Sequence, residues 1–234
     1  MANWIHSSVT FVEEVNPSAI LAKLELATRN CYKSEDRIEE GSAERLIRNC
    51  IKRGHEAPLE HASLMMRFIC DRAVSHELVR HRMASYCQES QRYCNYGDGK
   101  FDNQITFIYP HWYRNFNEVG YGIVFGDIER EIEDTDAYYR WQAIEESCRH
   151  AEQTYLYLLR AGAKPEDARA VLPNCTKTDV VCTMNIREIR HFLKLRTSKA
   201  AHPDIRKLAN QLYHMMVESG LGVLVEDIEP YELS

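Results

Sequence analysis

Leu64, Met66, Phe68 and Cys70 alternate with Met65, Arg67 and Ile69, and within a few residues the period changes. Alternation every second residue is the mark of a strand with at least one buried face. From Ala73 to Arg82 the apolar residues Val74, Leu78 and Val79 instead recur at helical spacing. A strand that feeds straight into a helix, with the basic run at Arg80 closing that helix, is the reading that most restricts the fold.

The remaining segments fall into place around it. Asn16 followed by Pro17 opens a helix carrying Ile20, Leu21, Leu24 and Ala27 as far as Tyr32. Ser42 is the expected cap of a second helix with the stripe Leu46, Ile47, Cys50 and Ile51, and Gly54 stops it. Ile105 to Tyr109 reads as a strand, and a long helix is expected from about Ile128 to Arg160, burying Trp141, Ile144, Cys148, Tyr155 and Leu159. Pro165 opens a short helix that Pro173 terminates. Thr178 to Thr183 reads as a strand, Asn185 as the cap of a helix bearing Ile189, Phe192 and Leu193, and Pro203 as the start of a last helix. Few strands in irregular alternation with helices favour an α+β domain over a doubly wound sheet, and no Gly-x-Gly-x-x-Gly run argues otherwise.

At 234 residues, 44% hydrophobic and 27% charged, the chain reads as one globular domain over residues 1–234. A net charge of -6 speaks against a general nucleic-acid binder, which needs a basic footprint to displace counterions. No apolar run approaches the length of a membrane span, and Met1 to Thr10 lacks the basic and apolar regions of a secretory signal, so a cytoplasmic protein without a membrane partner is expected. The eight cysteines form no Cys-x-x-Cys pair, and most are read as buried thiols.

Against that acidic background, residues 80–93 gather Arg80, His81, Arg82, Ser85, Gln88, Ser90 and Arg92. Arginine is always charged and its planar fork suits phosphate, so three in so short a segment point to an anionic ligand. From Met83 to Tyr93 apolar periodicity is absent, which reads as a binding loop. Two other stretches stand out. Gly54-His-Glu-Ala-Pro-Leu-Glu-His61 invites a metal reading, but Pro58 breaks the continuous helix that a His-Glu-x-x-His site requires, and no metal is expected. Asn185 to Arg196 carries Arg187, His191 and Arg196 on one predicted helix.

An Arg-His-Arg triplet, seven residues, Ser, one residue, then Arg-Tyr resembles the signature of the flavin-dependent thymidylate synthases. The His55 to His61 block, Asn185-x-Arg187, His191 and Arg196, Arg169 just before Leu172-Pro173, and Arg29 to Tyr32 resemble the same family in the same order, over about residues 10–215. The likeness implies a small, mostly antiparallel sheet packed by helices. It implies conversion of dUMP to dTMP with 5,10-methylenetetrahydrofolate as carbon donor, FAD as hydride carrier and NADPH as reductant, leaving tetrahydrofolate. It also implies a homotetramer with shared active sites.

Carried over residue by residue, the resemblance assigns FAD to His55, Ala57, Glu60, Arg80, His81, Arg82, Gln88, Asn185, Arg187 and His191. It assigns dUMP to Glu77, Arg80, Gln88, Glu89, Ser90, Gln91, Arg92, Arg169 and Arg196. Three positions depart from it: Glu77 where many members have glutamine, Gln88 where some have glutamate, and Ala57 where some have a hydroxyl residue. Ser90 is read as orienting the nucleotide, since nothing resembles an oriented Ser-His-Asp set. Arg196 is read as the catalytic cation that stabilises negative charge developing on uracil. Two alternatives belong to other classes. An RNA-loop-binding module would stack bases on Tyr86, Tyr93 and Tyr96, and a metal-dependent hydrolase would use His55, Glu56, Glu60 and His61.

Overall fold

The computed structural model describes residues 2–113 and 135–231, and the expected helical stretch from Ile128 to Asp134 lies outside the described residues. In chain order the elements are β1 (Asn3–Ile5), β2 (Ser8–Phe11), α1 (Pro17–Tyr32), α2 (Ser42–Lys52), β3 (Ser63–Asp71), α3 (Arg72–Leu78), β4 (Ala84–Gln88) and β5 (Thr106–Ile108). They continue with α4 (Thr135–Arg160), α5 (Pro165–Ala168), β6 (Lys177–Asn185), α6 (Ile186–Arg196) and α7 (Pro203–Met216). The chain groups into two compact units, one of Met1–His6 with Ser90–Lys177 and one of Ser7–Glu89 with Thr178–Ser234.

The larger unit is built on a four-stranded sheet in the order β2-β3-β6-β4. β2 pairs antiparallel with β3, Val9 opposite Phe68, and β4 pairs antiparallel with β6, Tyr86 opposite Cys182. Alternation does in β3 what the sequence asks of it: Leu64, Met66, Phe68 and Cys70 are buried. Thr178, Val180, Cys182 and Met184 do the same in β6. The helices supply the other half of the core through Leu24, Ile47, Ile189, Phe192, Leu193, Leu208 and Leu212. Phe68 and Phe192 meet edge to face with ring centres 6.1 Å apart.

Capping explains most helix ends. The Asn16 side chain accepts from Ala19 N ahead of Pro17, and Asn185 Oδ1 accepts from Glu188 N at 2.9 Å, each quenching an orphan donor of the first turn. Helix α2 departs from expectation. Its cap is Gly41 at φ 71°, a left-handed position that suits glycine, while Ser42 Oγ accepts from Glu39 N and donates to the buried Glu25 carboxylate at 2.5 Å. Gly54, at φ 70°, ends that helix, with His55 N returning to Cys50 O at 2.8 Å.

Two expectations around the basic segment need correction. Asp71 caps α3, accepting from Val74 N at 2.6 Å, and the helix stops at Leu78, so Arg80 to Arg82 follow the helix instead of closing it. Val79 is exposed. Residues 84–88, read as loop, form β4, while Ser90 and Arg92 do lie outside regular structure.

The smaller unit pairs β1 parallel with β5, Trp4 opposite Phe107. Ala2, Tyr96, Ile105, Phe107, Cys148, Tyr155 and Ala168 form its core. Trp141, Ile144 and Leu159, expected to be buried, are only half-buried. Of the eight cysteines, Cys50, Cys70, Cys148 and Cys182 are buried, whereas Cys31 and Cys87 are exposed and Cys94 and Cys175 intermediate, so half of them, not most, are interior thiols. Among the described residues no helix is long and apolar enough to cross a membrane.

Candidate functional site

Tyr86 is the residue that fixes the Arg80–Arg82 segment. Its hydroxyl lies 2.9 Å from Leu78 O and 2.7 Å from His81 O, drawing together two carbonyls at and just past the end of α3, of which Leu78 O also accepts from His81 N at 3.2 Å. Burial holds the phenol well above its ordinary range, so it remains a donor. The chain therefore leaves α3 with Arg80 and Arg82 exposed and His81 turned inward, 4% exposed. Neither Arg80 nor Arg82 has an ion-pair partner among the described residues.

His81 meets α6. Arg196 Nε donates to His81 Nε2 at 3.2 Å, and His81 Nδ1 lies 3.2 Å from Glu188 Oε1. A guanidinium only donates, so Nε2 carries the lone pair and Nδ1 the proton: the ring is neutral and gives its N–H to Glu188. Burial first, then the Arg196 charge and His191, lower the His81 pKa from 6.5 to about 4, which rules out reading the Glu188 contact as an ion pair at neutral pH. Burial also raises the Glu188 carboxyl, offset in part by His191. Arg196 is further clamped by Glu77, NH1 to Oε2 at 2.5 Å and NH2 to the Glu77 carbonyl at 3.3 Å. His191, five residues earlier on α6, sets its ring edgewise to His81 with centres 5.7 Å apart.

His81, Glu188 and His191 place one ligand atom each within 4.8 Å of one another. A metal there would need the lone pair of His81, which the Arg196 contact already uses at Nε2. A neutral imidazole has only one, so metal binding and the Arg196 clamp are alternatives. His55 and His61 do not belong to this cluster. His55 precedes the 3-10 turn Ala57–His61 and His61 ends it, and His55 Nδ1 lies 3.5 Å from the Tyr32 hydroxyl.

That turn packs against both α1 and α6, which brings Glu60 to Arg187, NH1 to Oε1 at 2.6 Å. A cavity of about 370 Å³ opens here, lined by Glu56, Glu60, Met83, Asn185, Arg187, Glu188, Arg190, His191 and Lys194, within the usual span of about 300–1,000 Å³ for ligand sites. Ala57 is exposed beside it in sequence. Gln88 is turned to the protein, its Nε2 donating to Ser75 Oγ at 3.0 Å and Thr178 Oγ1 at 3.1 Å. Glu89 joins the sheet edge, its N–H bonded to Asp179 O at 2.8 Å and its carbonyl accepting from Arg72.

The other assigned residues belong to the smaller unit. Arg92 N donates to Ser90 Oγ at 3.3 Å, the Arg92 guanidinium lies 3.8 Å from Glu166, and Arg169 Nε donates to the Glu166 carbonyl at 3.1 Å. Glu166 thus links Arg92 to Arg169, and both guanidiniums are exposed, with Gln91 half-buried between Ser90 and Arg92.

Sequence reasoning passed over Glu188 and placed Glu56 only in the metal-hydrolase alternative. Glu188 follows Asn185 by three, the spacing of a capping box, so its position reads as helix initiation and hides the side chain's bond to His81. Glu56 sat inside the His55 to His61 block, and its weight shows only once Arg190 and Lys194 are found beside it.

A family described as thymidylate synthase complementing protein matches residues 16–219. The flavin-dependent thymidylate synthase of Pyrococcus furiosus is 32% identical over 200 residues, 84% of this chain and 69% of that protein. The enzyme of the same name from Geobacter sulfurreducens is 33% identical over 209 residues, 86% of this chain and 78% of its own length. The crystal structure of the UMP/dUMP methylase PolB from Streptomyces cacaoi, bound with 5-Br dUMP, superposes with a TM-score of 0.74 at 27% identity, covering 96% of this chain and 95% of that one.

Proposed function

Because the chain belongs to the family of flavin-dependent thymidylate synthases, we propose that it methylates dUMP reductively to dTMP. The carbon donor is 5,10-methylenetetrahydrofolate, the hydride carrier FAD and the reductant NADPH, and tetrahydrofolate is left. The observation that carries this reading is the 3.2 Å bond from Arg196 to His81, which joins two sequence blocks 115 residues apart into one charged centre.

The cavity beside α6 offers an anionic aromatic cofactor the Arg187 and Lys194 cations and the His191 ring beside the Asn185 amide, with Glu56, Glu60 and Glu188 as counter-charges in the same wall. Bound there, flavin supplies hydride transfer, chemistry that no side chain provides. Asn185, Arg187, His191 and Glu60 would hold it, with His55, Ala57, Arg80, His81, Arg82 and Gln88 assigned by family likeness. Arg80, Glu77, Gln88, Glu89 and Arg196 of the larger unit, and Ser90, Gln91, Arg92 and Arg169 of the smaller, would hold dUMP.

Arg196 does the work left to the protein. Fixed by His81 and Glu77, its charge is preorganised to stabilise negative charge as it develops on the uracil ring. Neutral His81 leaves that charge unopposed by a second cation. We place the protein in the cytoplasm as a homotetramer with shared sites, each chain acting as one catalytic domain with small-molecule substrates only.

The test is a flavin half-reaction. NADPH should bleach the bound flavin, and anaerobic reoxidation should then require dUMP and methylenetetrahydrofolate together. Arg196→Ala should lose about a hundredfold or more in turnover while still taking up FAD, whereas Ser90→Ala should keep measurable turnover. Bleached flavin indifferent to dUMP, or a covalent Ser90–dUMP adduct in quenched reactions, contradicts the reading.

A further inference from the structure

The wall of the cofactor cavity rests on a buried charge whose partner lies beyond the family match. Arg190 is 1% exposed, yet a guanidinium stays charged in any protein environment. Asp227 compensates it side by side, NH1 to Oδ1 at 2.7 Å and NH2 to Oδ2 at 2.8 Å, and the Leu224 carbonyl accepts from NH1 as well. The same NH2 reaches Glu56 Oε1 at 3.4 Å. Glu56 then faces Arg187 Nε at 3.7 Å and Lys194 Nζ at 3.9 Å, and Lys194 returns to Asp227 at 3.4 Å.

Glu56 therefore contacts the arginine and lysine side chains that line the cavity, Arg187, Arg190 and Lys194. Only Arg190 of this pair is buried, Asp227 keeping 38% of its side chain exposed, and a buried charge with its counter-ion adds little stability over apolar residues of the same volume, so stability alone does not account for Arg190 and Asp227. What they do fix is the place of a carboxylate in the cavity wall. Asp227 stands outside residues 16–219, the span of the family match.

We propose that Asp227 is a positioning residue for cofactor binding: through Arg190 and Glu56 it sets where the Arg187 guanidinium stands in the cavity. The inference rests on the flavin reading given above. Arg187 is shared between Glu60, bonded at 2.6 Å, and Glu56 at 3.7 Å; without Glu56 in place the guanidinium would be held by Glu60 alone and would be less free to meet an anionic group of the cofactor.

The experiment measures the FAD dissociation constant by flavin fluorescence for the full-length chain and its variants. Asp227→Asn and Glu56→Gln should each weaken binding about tenfold, the loss expected for one charge-assisted contact. Because both act along one path, the double variant should bind no worse than the weaker single. Arg190→Met with Asp227→Leu replaces the pair by apolar groups; it should unfold near the wild-type temperature and still bind FAD about tenfold more weakly. Wild-type FAD affinity in that variant overturns the proposal. So do single losses that multiply as independent effects, and this cycle decides the matter if the apolar pair fails to fold. A wild-type chain that takes up no FAD is a different failure, bringing down the flavin reading and this inference with it.

Discussion

His81 is held neutral by its surroundings, and that has a pH signature. Burial, aided by the Arg196 charge and by His191, brings its pKa from 6.5 to about 4. Between those values the unfolded chain binds a proton that the folded chain refuses, so stability falls as pH falls through the window. The loss is complete below the folded pKa and amounts to on the order of 3 kcal/mol. In an NMR titration the His81 ring should stay neutral at pH 6, and Arg196→Ala should move its midpoint up toward the ordinary value. A wild-type His81 signal titrating near 6.5 contradicts the assignment. At this scale the sequence exposed residues whose type announces chemistry, such as Arg187, His191 and Arg196. It concealed Glu188 and Glu56, whose roles depend on partners 107 and 134 residues away, His81 and Arg190.

Strand β4 shows why one element was hidden while its neighbours were plain. Its alternation is real, Ala84, Tyr86 and Gln88 facing inward and Ser85 and Cys87 exposed, but it is carried by a small residue, a phenol and an amide instead of a row of aliphatic groups. Nothing in such a run marks a buried face, whereas Leu64 to Cys70 declares one. β1 and β2, at 3 and 4 residues, are too short for any period to register. Helices α1, α6 and α7 were legible because a cap or proline and an apolar stripe agree. Two substitutions test the local argument by denaturant unfolding. Tyr86→Phe leaves the His81 carbonyl without the hydroxyl, while Leu78 O keeps its bond from His81 N, and should cost about 1–3 kcal/mol. Asn185→Ala removes the cap of α6 and should cost about 1 kcal/mol, with Asn185→Asp retaining it. Unchanged stability in Tyr86→Phe would mean that the hydroxyl does not hold the basic segment.

Across the whole molecule, the boundary between the two compact units passes between Glu89 and Ser90, inside the basic segment itself. The smaller unit is discontinuous in sequence because β1 pairs with β5 roughly a hundred residues on, a relation that neither composition nor periodicity reveals. The nucleotide residues proposed above are thus divided, Arg196 in one unit and Arg169 in the other. If sites are shared between subunits, inactive Arg169→Ala and Arg196→Ala proteins that are dissociated and reassembled together should regain activity. Mixed tetramers no more active than either parent argue for self-contained sites. The most direct measurement of the central claim is the folate product of a complete reaction with dUMP, methylenetetrahydrofolate, FAD and NADPH. The account predicts one tetrahydrofolate for each dTMP formed, dependent on added flavin. Stoichiometric dihydrofolate, or dTMP formed without flavin, would contradict it.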